Sequence, residues 1–257
     1  MFSIEIVTPL HDREPWRLAN LLASLTPQIR EVGQSSMVVV ASGSTPEILD
    51  DYRAIANQYE TTLCSFRDPR GFNVSRSRNC GAKLAPPSRF IWFLDVDMLV
   101  PPGFLALLRR KLEQEPTAYW LPSYAYLPRK AAGGELSVSQ LGRLFQRKWT
   151  SVGPAYGHCA VERSWFHQVR GFDESFRGWG EEDLDLWHRA QRCGREVRVL
   201  EAPLLLHQWH PPQPRPFLTL NVARSLAGRA LARNPRQWGT LYGPHTEARD
   251  PDSSFTG

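Results

Sequence analysis

The sequence predicts an α/β domain: a mostly parallel sheet covered by helices on both faces, followed by a second half of mixed structure. Three observations carry this. Short β-type runs alternate with helical stretches through residue 115, the pattern of strands joined by crossover helices. The 257 residues, 42% hydrophobic and 22% charged, suffice to bury a sizeable core. Beyond residue 115 the alternation yields to an aromatic, proline-punctuated stretch, and order returns near residue 155.

The elements follow in order. Residues 2–8 form the first predicted strand. Pro15 opens a helix in which Leu18, Leu21, Leu22 and Leu25 recur at i, i+3, i+4 and i+7, and Pro27 is expected to stop it. Residues 37–41 are an apolar strand. Thr45-Pro46 caps a helix with Ile48, Leu49, Tyr52, Ile55 and Tyr59 on one face. Strand 61–66, short helix 75–84, strand 90–94 and helix 102–115 complete the first series. Residues 119–129 receive no element, 131–134 read as a flexible link, and 140–149 carry Arg143, Arg147 and Lys148 without a clear period. A strand at 155–162, a short helix at 164–169, a helix at 181–192 stopped by Gly194, and a strand at 197–200 follow. Pro211, Pro212, Pro214 and Pro216 then break the chain, 217–233 is helical, and residues past Trp238 read as a loose end. The expected organisation is one domain over residues 1–210, split near Asp97 into halves 1–97 and 98–210, with 211–257 as a proline-rich segment, helix and tail.

Lys and Arg number 31 against 26 Asp and Glu, a net charge of +5, and residues 211–257 hold six Arg against three acids. The nearly balanced body argues against nucleic acid as a partner and leaves room for a local anion site. No apolar run approaches the roughly 18–20 residues of a membrane span. The first residues lack the basic and apolar regions of a signal peptide, so a soluble cytoplasmic chain is expected. Arg224, Arg229 and Arg233 on the 217–233 helix would suit peripheral contact with an anionic bilayer, although such a helix more often packs on its own domain. Cys64, Cys80, Cys159 and Cys193 show no metal or disulfide spacing and read as small buried residues in a reducing compartment. Nine Trp are compatible with a carbohydrate site without proving one.

Three clusters carry chemistry. The apolar strand 90–94 runs into Asp95-Val96-Asp97, placing two carboxylates at the sheet edge where α/β folds bind ligands. Two hard oxygen donors there suit Mg²⁺ or Mn²⁺; the plainer alternative is turn residues ahead of Pro101-Pro102. Gly178-Trp179-Gly180-Glu181-Glu182-Asp183 loosens the backbone and then crowds acids into a helix's first turn. Helix-dipole complementarity needs only one or two of these acids, and a carboxylate in a cleft can accept a proton from a hydroxyl. His207 closes an apolar run, which reads either as a hydrogen-bonded core residue or as a metal ligand.

Taken together, these residues resemble the GT-A glycosyltransferases, specifically inverting family-2-like enzymes and the galactosyltransferase/chondroitin-polymerase group. The matching pieces are Val7-Thr8-Pro9, the run Arg70-Gly71-Phe72-Asn73-Val74-Ser75-Arg76-Ser77-Arg78-Asn79-Cys80-Gly81-Ala82, and Phe93-Leu94-Asp95-Val96-Asp97. Gly171-Phe172-Asp173-Glu174, Gly178-Trp179-Gly180-Glu181-Glu182-Asp183 and His207-Gln208 follow in the same order. The resemblance implies a Rossmann-like three-layer α/β/α fold. It also implies metal-dependent, inverting transfer from a nucleotide-sugar, UDP-linked by preference, to a glycan, lipid-linked or small-molecule acceptor. By it, Thr8, Pro9 and Arg13 line the nucleobase end of the donor pocket. Arg76, Arg78 and Asn79 contact the donor, Asp95 touches its ribose or sugar, and Asp97 with His207 holds Mn²⁺ or Mg²⁺. Glu182 holds the acceptor and Asp183 is the catalytic base. Two departures stand out. Ala41-Ser42-Gly43-Ser44 replaces an Asp-Asp-Gly-Ser run, leaving Ser42 to contact the base, and Glu181 and Leu184 alter the acidic motif.

Tyr119, Trp120, Tyr124, Tyr126 and Trp149 are available either to stack on sugars or to pack the core of the second half. Gly153 and Gly157-His158 allow close backbone approach to a donor sugar, or the glycines mark a strand bulge. Rival readings are a catalytically silent nucleotide-sugar or glycan-binding module, and a haloacid-dehalogenase-type phosphatase using Asp95 and Asp97. The latter wants its Asp-x-Asp on the first strand and a Thr or Val two residues on, where this chain has Leu99. P-loop and Gly-x-Gly-x-x-Gly patterns are absent.

Overall fold

The computed structural model describes residues 4–67, 71–131, 133–178, 180–212 and 216–228, together with Leu231, Asn234 and Trp238. The first-strand residue Phe2, the motif residues Arg70 and Trp179, Pro214, Arg229, Arg233 and the expected loose end past Trp238 lie outside the described residues.

Four strands form a parallel block. They are β1 (Ile4–Leu10), β2 (Ser35–Ser42), β3 (Thr62–Phe66) and β4 (Phe90–Phe93), side by side in the order β3-β2-β1-β4. Their residues are mostly apolar, because helices cover both faces. On one face α1 (Pro15–Val32) buries Leu18, Leu21, Leu22 and Leu25 against Ile6, Val39 and Trp92, beside α2 (Pro46–Gln58) and α4 (Phe104–Gln114). On the other, α3 (Val74–Leu84) lies on β1 and β2 so closely that a Cβ at Gly81 would stand 2.4 Å from a methyl of Val7. That contact is why the Asn-Cys-Gly-Ala run needs its glycine. Pro27 does not stop α1. The hydroxyls of Ser24 and Thr26 bond the carbonyls of Leu21 and Leu22 before it, and Gln28 is anchored to the carbonyls of Val100 and Pro101. The helix ends instead at Gly33, with φ +63°.

The second half extends the same sheet with mixed polarity. β5 (Met98–Leu99), β6 (Tyr119–Tyr126), β7 (Gly153–Pro154), β8 (Ala160–Glu162) and β9 (Val197–His207) continue the order as β4-β8-β6-β9-β5, with β7 against β6. β8 runs antiparallel to β4 and β6, while β9 is parallel to β6 and antiparallel to β5. Two corrections to the sequence reading fall here. Residues 119–126 are a central strand despite Pro122, and β9 runs seven residues past its expected end despite Pro203. The β6–β9 register shifts there: Pro122 pairs with Leu200 at the edge of the shift, and Pro203 lies in the unpaired stretch before Leu205.

Helices α5 (Val138–Gln146), α6 (Arg163–Gln168), α7 (Glu182–Arg192) and α8 (Leu218–Gly228) complete the fold. α5 was not legible from periodicity; it is nucleated by a capping box in which Ser137 and Gln140 bond each other's backbone N–H. The residues between α5 and β8 form a 3₁₀ turn at Tyr156–His158 rather than the first part of an expected strand. Of the cysteines, Cys64, Cys80 and Cys159 are buried, but Cys193 ends α7 and is exposed. Of the five aromatic candidates, Tyr119 and Trp120 belong to the core.

One buried charge has a measurable consequence. Glu5 on β1 is 1% exposed; Ser36 donates to one of its carboxylate oxygens, while the other has no hydrogen-bond partner among the described residues. Burial pushes this carboxyl up to about 7, with Ser36 and the charge of Arg163 opposing. A raised folded-state pKa means stability present at acid pH and lost as pH rises through 7. Glu5→Gln is expected to flatten that decline, on the order of 2–3 kcal/mol, in denaturant midpoints measured from pH 5 to 8.

Candidate active site

Strand β4 ends at Phe93, and the two aspartates follow in the turn before β5 rather than on a continuing strand. They part company there. Asp95 turns toward α3 and accepts from Arg78 Nη2 at 2.9 Å, with His158 Nε2 at 3.2 Å. Asp97 turns the other way, to His207 Nε2 at 3.7 Å and His210 Nε2 at 3.2 Å.

Asp97 meets residues 110 positions downstream because of the β5–β9 pairing. Met98 lies opposite His207, and the Gln208 N–H donates to the Asp97 carbonyl at 2.7 Å. Helix α1 then pins the turn carrying both histidines. Buried Arg17 donates to the carbonyls of Gln208 and Trp209, and Asn20 donates to the Gln208 side chain. The ligand atoms of Asp97, His207 and His210 lie within 4.8 Å of one another.

Their protonation suits a cation. Burial lowers the His207 pKa, favouring the neutral imidazole, and its Nδ1 has no hydrogen-bond partner among the described residues. Burial opposes the charge on Asp97, but His207 and His210 more than offset this, keeping the carboxyl below its usual range. The hydrogen bond to Asp97 raises His210. One carboxylate oxygen and two imidazole nitrogens are a donor set that first-row divalent ions accept, Mn²⁺ among them.

A second charged cluster adjoins the first. Arg78, 1% exposed, donates to Asp95 and, through Nη1 at 3.1 Å, to Glu182 at the start of α7. Glu182 also accepts the Gly180 N–H at 2.9 Å. Burial resists ionisation of Asp95, yet the charge of Arg78 and the bond from His158 hold it well below the carboxylate range. Glu182 goes the opposite way: burial and the adjacent Asp183 push it up to about 7, against the pull of Arg78. Asp183 itself is half-buried, with one oxygen held by the Leu184 N–H. Its other oxygen faces Gly157, where a Cβ would stand 3.7 Å from it and 3.0 Å from Arg78. The missing side chain keeps this corner open.

Two adjoining hollows share Asp95, Tyr126 and His207. The larger, about 1250 Å³, holds Asp97, His210, Arg13, Arg129, Trp149 and Trp209. The smaller, about 410 Å³, holds Arg78, Tyr124, Tyr156, His158, Glu182 and Asp183. Separate halves of the chain thus converge on one cleft at the carboxyl ends of β1 and β4.

Several expectations change. Arg76 and Asn79 face the protein, not the cleft: Arg76 bonds Glu174 at 3.0 Å, and Asn79 bonds Glu174 and both backbone groups of Phe172. Asn73, the cap of α3, adds bonds to the carbonyls of Glu174 and Phe176. The Asn-x-x-Arg-x-Arg-Asn run is therefore mainly a brace for residues 171–176, and only Arg78 lines the cleft. Ser42 is 1% exposed and its hydroxyl is bonded to that of Ser77, so no free hydroxyl faces a base. The surface there is His11, which donates to the Ser42 carbonyl and stacks on Phe72 at 4.5 Å. Thr8 and Pro9 are buried within β1, and the Thr8 hydroxyl has no hydrogen-bond partner among the described residues. Missed by the sequence reading were Arg17 and Asn20, and the partners of His158 and Glu174, which it had named only within motifs. No spacing links them to their partners, whereas His210, three residues past His207, had a signal in its proximity.

The model of "Glycosyl transferase family 2" matches residues 5–170. The chain belongs to that family. A second model, "N-terminal domain of galactosyltransferase", matches residues 144–210. Among curated relatives, the validoxylamine A glucosyltransferase of Streptomyces hygroscopicus subsp. jinggangensis (strain 5008) is 28% identical, covering 78% of this chain and 55% of its own length. The hyaluronan synthase of Pasteurella multocida is 28% identical over 68% of this chain and 21% of that protein. Human chondroitin sulfate N-acetylgalactosaminyltransferase 2 is 28% identical over 63% and 31%. The chain thus spans about half or less of the length of these relatives. A crystal structure of GalNAc-T7 with UDP, GalNAc and Mn²⁺ superposes with a TM-score of 0.66 at 18% identity, over 88% of this chain and 48% of that one. Staphylococcus aureus TarS 1–349 gives 0.57 at 16%, over 80% and 60%. The fold is GT-A. No described helix is long and apolar enough to cross a membrane.

Proposed function

We propose that this chain transfers a hexosyl or N-acetylhexosaminyl group from a nucleotide-sugar to an acceptor hydroxyl, with inversion. The observation that carries the reading is the adjacency of two hollows, one built on Asp97, His207 and His210, the other on Asp183. In the first, those three residues would hold a divalent cation, which supplies positive charge opposite a departing nucleotide diphosphate. In the second, the open oxygen of Asp183 accepts the proton of the attacking hydroxyl. A single base suits direct displacement at the anomeric carbon, whereas a retaining site would need a second carboxylate as nucleophile. Glu182, bound to Arg78 and the Gly180 N–H, positions Asp183 and borders the acceptor. Asp95, shared by both hollows, would face the donor sugar, and Arg13, expected at the nucleobase end, lines the hollow of Asp97 and His210, where it would face the donor's diphosphate instead. The UDP and Mn²⁺ of GalNAc-T7 support a UDP-sugar and manganese as first choices.

The test is nucleotide release from a panel of nucleotide-sugars with Mn²⁺, with and without acceptor. Transfer predicts acceptor-stimulated release from one donor; release from none of them would overturn the reading. His207→Ala and His210→Ala are each expected to raise the Mn²⁺ concentration for half-maximal release at least about tenfold, since each removes one of three donors.

A further inference from the structure

Asn20 stands on α1 among Leu18, Leu21 and Leu22, and like them it is fully buried. Asparagine is among the poorer helix formers, and an amide withdrawn from water costs stability unless its polar atoms are matched. Here every one is matched, and none of the partners belongs to the helix. The two Nδ2 hydrogens go to the Gly134 carbonyl at 3.0 Å and to Gln208 Oε1 at 2.8 Å, while Oδ1 accepts the Leu136 N–H at 2.7 Å. One side chain therefore joins two stretches that are distant in sequence.

The first stretch leaves β6 beside the turn that carries both histidines, and it touches that turn twice. Where it starts, the Leu127 N–H donates to the His207 carbonyl at 2.9 Å, and the Arg129 guanidinium lies 5.0 Å from the ring centre of Trp209. Where it returns toward α5, Gly134 and Leu136 are tied through Asn20 to Gln208. Gln208 in turn donates its N–H to the Asp97 carbonyl, and its side chain reaches the Arg17 carbonyl. Leu127, Arg129 and Trp149 line the larger hollow together with His207 and His210, so the two stretches build one cavity. Leu141 and Leu144 also pack α5 against Leu99 and Leu206, but apolar contact is non-directional and tolerates sliding. The bonds of Asn20 are directional and fix the register.

We propose that Asn20 is a positioning residue for the metal site: it locks the histidine turn and the Gly134–Leu136 segment in one arrangement. An ion held by Asp97, His207 and His210 steadies that segment, and loosening the segment weakens the ion by the same factor, because such a link is reciprocal. The idea rests on the metal site proposed above and adds to it a residue that touches neither ion nor substrate.

The experiment titrates Mn²⁺ alone by electron paramagnetic resonance and follows amide hydrogen exchange of residues 133–149 with and without it. The proteins are the wild-type chain, Asn20→Leu and Leu25→Ala. In the wild type, saturating Mn²⁺ is expected to slow exchange around Leu136 at least about threefold. Asn20→Leu keeps the size of the side chain and removes all three bonds. It is expected to weaken Mn²⁺ at least about fivefold and to abolish the slowing. Leu25→Ala damages the same helix in the core and is expected to lower the melting temperature while leaving Mn²⁺ affinity within about twofold. Equal weakening in both variants, an Asn20→Leu chain that binds Mn²⁺ like the wild type, or wild-type exchange unchanged by the ion overturns the proposal. Where Asn20→Leu does not fold, the wild-type exchange comparison decides alone. A wild-type chain that binds no Mn²⁺ defeats the metal site and this proposal with it, whereas binding without slowing defeats the proposal only.

Discussion

Asp183→Asn is expected to lower transfer by about 10²–10⁴-fold, the usual contribution of a positioned general base. The substitution keeps shape and the oxygen that accepts the Leu184 N–H, so the start of α7 keeps its geometry. What disappears is the ability of the second oxygen, the one facing Gly157, to take a proton. Donor affinity, measured as nucleotide-sugar binding at equilibrium, is expected to stay within about twofold, because the metal triad and Arg13 belong to the other hollow. A second readout separates this from simple damage. The charge of Asp183 helps to hold Glu182 up at about 7, so removing it is expected to shift the Glu182 titration toward acid. Full activity in the Asn variant would remove Asp183 from the role of base.

Arg78→Ala carries the largest expected stability effect. One guanidinium, 1% exposed, holds Asp95 and Glu182 together, and its loss leaves two carboxylates facing each other beside Asp183. Breaking a buried pair costs about 3–5 kcal/mol, which corresponds to a fall in Tm of roughly 10 °C in a chain of this size. The sign with pH follows from Glu182. Its carboxyl already titrates near 7, and without Arg78 it moves higher, so the variant is expected to recover as pH falls below that value and to be weakest in alkali. Arg78→Lys keeps one charge but cannot span both partners, and should fall between. A melting temperature unchanged across pH would refute the bridge.

These two residues show what was legible in the sequence and what was not. Asp95, Asp97, Asp183 and His207 were nominated by type and spacing together with the family resemblance, and the structure gathers all four around one cleft. The alternating strands and helices to residue 115 were legible because each buries a periodic apolar face. Strand β6 and the part of β9 beyond Leu200 were not, since Pro122 and Pro203 flank or fall in a register shift that only pairing reveals. The role of Arg76 and Asn79 was misread for a related reason. A buried arginine and asparagine near a ligand-type loop look like contacts until Glu174, some 95 residues away, is seen to occupy them. Sequence spacing exposes local periodicity and says little about which distant polar group satisfies which.

Helix α8 has its polar residues inward and much of its apolar surface outward. Buried Asn221 bonds both backbone groups of Arg177 and the carbonyl of Gly180, while Arg224 bonds the carbonyl of Ser175 rather than facing outward as a basic surface would require. Phe217 and Leu218 rest against Gly178 and Gly180, and farther on Asn234 reaches the carbonyls of Arg170 and Phe172. A polypeptide cut at residue 210 would retain the whole metal triad and Asp183, yet release the strap that tensions the approach to α7. A protein trimmed to the recognisable motifs is accordingly expected to keep the Asp97, His207 and His210 cluster while the segment that leads into α7, and Asp183 with it, loses its support.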